Sequence, residues 1–130
     1  SDALLCGANN PPAGTYITLS YDGTSWSDTG HNLLDRKDTL AGGSQQAATN
    51  LGIIAGGFDS APSIVATSYQ YNGSSWVTGP SISTSRRGGA AAGTYASCMA
   101  VGGEQPTQSN HTEEFTSETT ALNVENITDS

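Results

Sequence analysis

Short apolar runs that end at glycine recur along the chain and predict buried β-strands. Three of them are Leu4-Leu5, Ile53-Ile54-Ala55 and Met99-Ala100-Val101. A strand that is buried on both faces has such a continuous apolar run, whereas a half-buried strand alternates. No stretch of the sequence has a helical period, and the 16 glycines and 5 prolines disfavour helices. The pattern therefore predicts an all-β fold.

A hexapeptide that contains a hairpin signal occurs twice. It reads Tyr21-Asp22-Gly23-Thr24-Ser25-Trp26 in the first copy and Tyr71-Asn72-Gly73-Ser74-Ser75-Trp76 in the second, and a degraded third copy begins at Phe115. Aspartate or asparagine followed by glycine tolerates the positive φ angles of a tight type I′ turn. Each strand that ends at the tyrosine is therefore expected to reverse into an outer strand that begins near the tryptophan. Each tryptophan is expected to pack against its own sheet.

The rest of the unit repeats in register with the hexapeptide. Gly56-Gly57 corresponds to Gly102-Gly103, and Cys6-Gly7 takes their place in the first copy, with Cys6 where the first glycine of the pair is expected. Arg36-Lys37 corresponds to Arg86-Arg87. The residues to which we assign a structural role in the repeat are Gly7, Gly56, Gly57, Gly102, Gly103, Tyr21, Trp26, Tyr71, Trp76, Phe115, Arg36 and Arg86.

A period near 50 residues, marked by a glycine pair, an aromatic residue and a tryptophan, is typical of kelch-type β-propeller blades. Small residues between the units, at Ala41-Gly42-Gly43 and from Gly88 to Gly93, suit the crowded innermost strands of such blades. We predict one repeat domain over residues 1–130 with about two and a half to three four-stranded blades. The approximate blades are 1–30, which starts in mid-blade, 31–80, and 81–130, which is degenerate.

A propeller needs about four blades to close, which is more than this sequence supplies. The ring is therefore expected to be completed by residues outside this sequence or by other copies of the chain in a homo-oligomer. We favour the first explanation.

Charge is sparse and unevenly placed. The formal net charge is -8, and all four basic residues lie in the two repeat-related pairs. This distribution argues against a nucleic-acid groove or an anionic membrane surface as the partner. The pairs have two interpretations: Arg36 and Arg86 reach carbonyls or a carboxylate of the adjoining blade, or the pairs form a positive ring that holds an acidic ligand. We favour the structural interpretation, because repeat-equivalent residues usually serve the repeat.

Candidate catalytic groups are few. His31 and His111 lie far apart in the sequence and have no metal-ligand spacing. Cys6 and Cys98 fall near strands of different units, where small buried thiols are a better interpretation than a disulfide or a nucleophile. No apolar segment approaches membrane-spanning length. We predict no enzymatic activity, no metal and no cofactor.

Several motifs together resemble the kelch-like repeat proteins of tailed bacteriophages, marine ones especially: Gly14-Thr15-Tyr16, Gly93-Thr94-Tyr95, the two hexapeptides, and the closing segment from Thr112-Glu113-Glu114-Phe115 to Ser130. The resemblance covers essentially the whole chain. It implies a non-enzymatic structural protein on the surface of the virion, displayed as a capsid decoration or as a tail or fibre component. Other capsid or tail proteins are then the expected partners.

The variable loops 8–14, 58–66 and 104–111 are the expected contact surfaces. Their candidate contact residues are Asn9, Asn10, Phe58, Asp59, Gln105 and Asn110, with Tyr16, Tyr69 and Tyr95 as further aromatic candidates. One alternative function is an adhesion module that binds a glycan or receptor on the host surface, which predicts exposed aromatic side chains beside polar loops. Another is a kelch-type adaptor between proteins.

Overall fold

The computed structural model of the chain describes residues 3–8, 15–35, 42–46, 51–59, 61, 63–94, 96–104, 107–108, 110–116 and 124–126. Within these ranges the regular structure consists of β-strands: β1 (Ala3–Ala8), β2 (Thr15–Tyr21), β3 (Trp26–Asp28), β4 (Gly42–Gln46), β5 (Leu51–Ala55), β6 (Ser68–Tyr71), β7 (Trp76–Gly79), β8 (Ala90–Gly93), β9 (Ser97–Val101), β10 (His111–Thr116) and β11 (Val124–Asn126). The all-β prediction is confirmed. None of the described residues belongs to a helix that could cross a membrane.

The strands form three antiparallel sheets in chain order. The first sheet contains β1-β2-β3, the second β4-β5-β6-β7, and the third β8-β9-β10-β11. The small-residue segments predicted as innermost strands are β4 and β8, and these two strands lie beside each other. By register, β1 corresponds to β5 and β9, so the described part of the first sheet has no counterpart of β4 or β8.

The strand register corrects the alignment of the first unit by one residue. Each sheet contains an equivalent cross-strand pair whose second residue lies three positions before the repeated aromatic residue. The three pairs are Cys6–Thr18, Ala55–Ser68 and Val101–Thr112. The next residue is a glycine in the left-handed region, with φ of 66° at Gly7, 65° at Gly56 and 67° at Gly102. Gly7, rather than Cys6, is therefore the counterpart of the first glycine, and Ala8 takes the place of the second.

The two predicted hairpins form, but their turns differ from the prediction. Tyr21 pairs with Trp26 and Tyr71 with Trp76, so each loop contains four residues rather than the two of a type I′ turn. The side-chain Oδ1 of the first loop residue accepts hydrogen bonds of 2.8 to 3.0 Å from the N–H groups two and three residues further on. Such side-chain turns are a general property of aspartate and asparagine, and here they set the loop length.

The sheets pack face to face through two apolar clusters. The cluster between the first and second sheets contains Leu33, Ile54, Tyr69, Tyr71 and Trp76, with Leu4 and Cys6 packed against it. The cluster between the second and third sheets contains Ile53, Cys98 and Phe115, with Ala91 packed against it. Because side chains alternate along a strand, Ile53 and Ile54 lie on opposite faces of β5. This is the burial on both faces that the apolar run predicts.

Candidate functional site

The repeat-related arginines lie where the second and third sheets meet. Arg86 and Arg87 belong to the segment between β7 and β8. The Gly57 N–H donates to the Arg86 carbonyl at 2.8 Å, and Arg87 exchanges two backbone hydrogen bonds with Glu104, of 2.8 and 3.2 Å. A Cβ at Gly103 would meet the Arg87 carbonyl oxygen at 2.7 Å. The second glycine of the pair is therefore required by close backbone approach as well as by its φ of 101°.

The Arg86 side chain points into the protein and pairs with a carboxylate of the third sheet. Its Nη2 lies 3.0 Å from Oε1 of Glu113 on β10, and both side chains are fully buried. Glu113 Oε2 also accepts a hydrogen bond from the Ser83 N–H. The guanidinium and Oε1 lie at ion-pair distance without hydrogen-bond geometry, since Nε, Nη1 and Nη2 have no hydrogen-bond partner among the described residues. We therefore treat the contact as a charge pair between sheets.

The Arg87 side chain points the other way, to the surface. Its Nε donates to Glu104 Oε1 at 2.9 Å, its Nη2 lies 2.8 Å from the same oxygen, and its guanidinium stacks 5.6 Å from the centre of the Phe58 ring. We call Phe58, Arg87 and Glu104 the rim cluster. Because Arg86 and Arg87 are each paired with a carboxylate, this basic pair does not support a positive ring for an acidic ligand. Arg86 reaches a carboxylate of the adjoining sheet, while Arg36 lies outside the described residues.

The loop after β5 holds Phe58 in place. The Asp59 Oδ1 accepts hydrogen bonds of 3.0 and 3.1 Å from the N–H groups of Ala61 and Ser63, and Phe58 forms an isolated bridge with Ile64. The Asp59 carboxylate is therefore occupied by its own loop. Of the predicted contact residues, Phe58 enters the rim cluster and Asp59 orders the loop beside it.

An open polar depression lies next to the rim cluster, lined by Gly88, Gly103, Glu104 and Gln108. Glu104 also forms an isolated bridge with Gln108, so the loop after β9 pairs with itself beside this depression. Asn110 is exposed at the end of that loop. The predicted contact residues Asn9, Asn10 and Gln105 lie outside the described residues.

The aromatic candidates separate into core and surface. The contact candidate Tyr69 is buried, as are Tyr71 and Phe115, so Tyr69 cannot serve as a surface contact. The contact candidate Tyr16 is exposed. Tyr95 lies outside the described residues. Burial raises the pKa of the Tyr69 and Tyr71 hydroxyls. The Tyr71 hydroxyl lies 2.5 Å from Nδ1 of His31.

Trp76 contacts its own sheet and also the preceding one. It stacks on Tyr71 at 5.1 Å, as the hexapeptide predicts, and its Nε1–H donates a 2.7 Å hydrogen bond to Oγ1 of Thr18 in the first sheet. Sequence reasoning missed Thr18 and Glu113, because a lone threonine and one glutamate among several give no signal of a partner far along the chain. Trp26 stacks on Tyr21 in the same way but remains half exposed.

Both cysteines are free; Cys98 is buried and Cys6 is partly buried. Burial of the thiol nevertheless raises the pKa of Cys6 to about 11, and burial also raises the pKa of Cys98. Thiols of this kind are poor nucleophiles at neutral pH. Among the described residues no cluster of His, Cys, Asp or Glu is placed to hold a metal ion.

Neither a scan against models of protein families nor a search of curated proteins finds a match to this sequence.

Proposed function

We propose that the chain is part of a kelch-type β-propeller and that its sheets are consecutive blades. Three features support the proposal: the sheets follow chain order, they share one register, and they stack face to face with β4 beside β8. In a propeller the strands of each blade run outward from a central axis in this order. The first sheet would then be the outer three strands of a blade.

We further propose that this propeller is a non-enzymatic structural protein on the surface of a phage particle, as a capsid decoration or a tail or fibre component. The observation that carries the proposal is that buried repeat residues connect the sheets, through Trp76 and Thr18 at one contact and Arg86 and Glu113 at the other. Such contacts between neighbouring units make a stiff platform. The sequence resemblance to phage kelch-like proteins supports the location.

The rim cluster is the contact surface that we assign to a neighbouring virion protein. Phe58, Arg87 and Glu104 combine an aromatic ring, a guanidinium and a carboxylate at one end of the sheets, and Arg is among the residues enriched at protein interfaces. The hairpin loops that begin at Asp22 and Asn72 lie at the opposite end, because β6 returns along β5 before its own turn.

Cross-linking of intact particles tests this proposal. The sequence has few basic residues, so a carboxyl-reactive cross-linker followed by mass spectrometry is the appropriate probe. We expect the chain in purified particles at a fixed copy number, with cross-links from Glu104 to another virion protein. Asp22, an exposed carboxylate at the other end, is the matched control and should give no link to that protein. A chain that is abundant in infected cells but absent from purified particles would contradict the proposal.

A further inference from the structure

The first sheet exposes an apolar face whose counterpart in the second sheet is buried. We call Leu5, Leu19, Tyr21 and Trp26 the leading face; they share one side of the sheet, since Leu5 pairs with Leu19 and Tyr21 with Trp26. In the second sheet the equivalent residues are Ile54, Tyr69, Tyr71 and Trp76. Trp26 is 49% exposed and Leu5 54%, whereas Trp76 is 4% and Ile54 6% exposed.

The structure also shows what covers a face of this kind. The leading residues of the second sheet pack on the opposite side of the first sheet, against Leu4 and Cys6, and Trp76 donates its indole hydrogen bond to Thr18. A leading face thus binds a trailing face, which consists of alternate residues of the two central strands. The same kind of contact is open to the exposed leading face of the first sheet.

The third sheet exposes such a trailing face. It consists of Met99, Val101, Thr112 and Glu114, which pair as Met99 with Glu114 and Val101 with Thr112. Met99 is 43% exposed, while its counterpart Ile53 in the second sheet is 4% exposed. Thr112 stands at the position of Thr18, but its Oγ1 is already buried within the single chain, so the exposed part of this face is formed by Met99 and Glu114.

We propose that the leading face of one copy of this chain binds the trailing face of a second copy, in the register of the contact between the first and second sheets. Trp26 takes the position of Trp76, and Met99 of the other copy takes the position of Leu4. The contact joins two different surfaces, so it is a heterologous interface, which closes into a ring or continues as a filament. Two copies contain six sheets, within the four to eight blades of known propellers.

Charge gives the interface a specific dependence on salt. Asp28, which pairs with Leu19, borders the leading face, and Glu114 lies on the trailing face. Neither face contains a basic residue in its described part. Salt screens the repulsion between carboxylates, so association should tighten as sodium chloride is raised. This inference goes beyond the proposed function, because it concerns the purified chain and does not depend on any particle.

Sedimentation analysis of the purified chain and of single-face variants tests the proposal. The wild-type chain should associate as its concentration rises, with a blue shift of tryptophan emission as Trp26 becomes buried. Trp26→Ala on the leading face and Met99→Asp on the trailing face should each raise the Kd by about 30-fold or more. Val77→Ala, an exposed apolar change outside both faces, is the matched control and should leave the Kd unchanged.

Mixing the two variants identifies the geometry. A Trp26→Ala chain keeps an intact trailing face and a Met99→Asp chain keeps an intact leading face, so the mixture should form a dimer that neither variant forms alone. Circular dichroism of both variants should match the wild type, which separates loss of binding from loss of folding. Met99→Asp chains that associate as tightly as wild type would overturn the proposal, since two leading faces would then pair with each other. A wild-type chain that stays monomeric at about 1 mM, in low or high salt, would also overturn it.

Discussion

Removing the Glu113 carboxylate is expected to destabilise the protein by about 3–5 kcal/mol, the usual effect of breaking a fully buried ion pair. Arg86 and Glu113 are 1% exposed or less as side chains, so Glu113→Ala leaves a guanidinium in the interior with no opposite charge. The Ser83 N–H also loses its acceptor. Glu113→Gln can retain a carbonyl oxygen for Ser83 while removing the charge, and should therefore remain costly.

The neighbouring pair is a matched control within the same protein. The side chains of Arg87 and Glu104 are 37% and 45% exposed, and exposed pairs of this kind contribute about 0.2–1 kcal/mol. Glu104→Ala should therefore cost about 1 kcal/mol or less. Replacing both members of the buried pair, Arg86→Met with Glu113→Leu, should cost less than either single change, because no uncompensated charge remains.

Urea unfolding measures these differences. At a slope near 2 kcal/mol per molar urea, the loss at Glu113 lowers the midpoint by roughly 2 M. The measurements belong in a Trp26→Ala background, because self-association would add a concentration-dependent term to the stability. A Glu113→Ala midpoint no lower than that of Glu104→Ala would refute the reasoning, since the buried pair would then contribute no more than an exposed one.

The remaining predictions concern Thr18, Gly103 and Cys6. Thr18→Val removes the acceptor of the Trp76 indole and should lower the free energy of unfolding by about 1–3 kcal/mol, measured with urea. Thr18→Ser keeps a hydroxyl and should retain most of that stability. An unchanged urea midpoint in Thr18→Val would contradict the role of the hydrogen bond. Gly103→Ala should destabilise the protein far more than Gly88→Ala. At Gly103 a carbonyl oxygen would lie 2.7 Å from the new Cβ, whereas at Gly88 only the positive φ disfavours alanine. Equal urea midpoints for the two variants would contradict this expectation. Since its folded pKa is raised from 9.0 to about 11, Cys6 should react with an aromatic disulfide reagent at pH 8 roughly 100-fold more slowly than a free cysteine. Its contribution to stability is full below pH 9 and lost as the pH rises towards 11, so Cys6→Ala should flatten the alkaline decline in urea midpoint.

Local signals in the sequence predicted the strands and hairpins well. The hexapeptides locate the Tyr–Trp pairs because a turn and its flanking strands lie within a few residues of one another. The apolar run at Ile53-Ile54 predicts burial on both faces, which the two clusters confirm. The turn type was wrong because the dipeptide Asp22-Gly23 suits a two-residue turn, while the aspartate side chain stabilises a four-residue loop instead.

Contacts between sheets could not be predicted in the same way. Trp76 and Thr18 are 58 residues apart, and a threonine hydroxyl has no pattern that identifies it as an indole acceptor. Aligning the repeats by residue type placed Cys6 opposite a glycine. In the structure the residue with positive φ is one position later, at Gly7. Glu113 enters the sequence analysis only as part of the closing segment, and only the fold places it against Arg86.

The two inter-sheet contacts use different chemistry on the same backbone register. Between the first and second sheets, an indole from the later sheet reaches a hydroxyl of the earlier one. Between the second and third sheets, Glu113 stands at the position of Tyr69, and Arg86 supplies its opposite charge. The repeat therefore preserves strand geometry while the residues at each contact vary. The exposed leading and trailing faces share this backbone register, which is the physical basis for expecting them to bind each other.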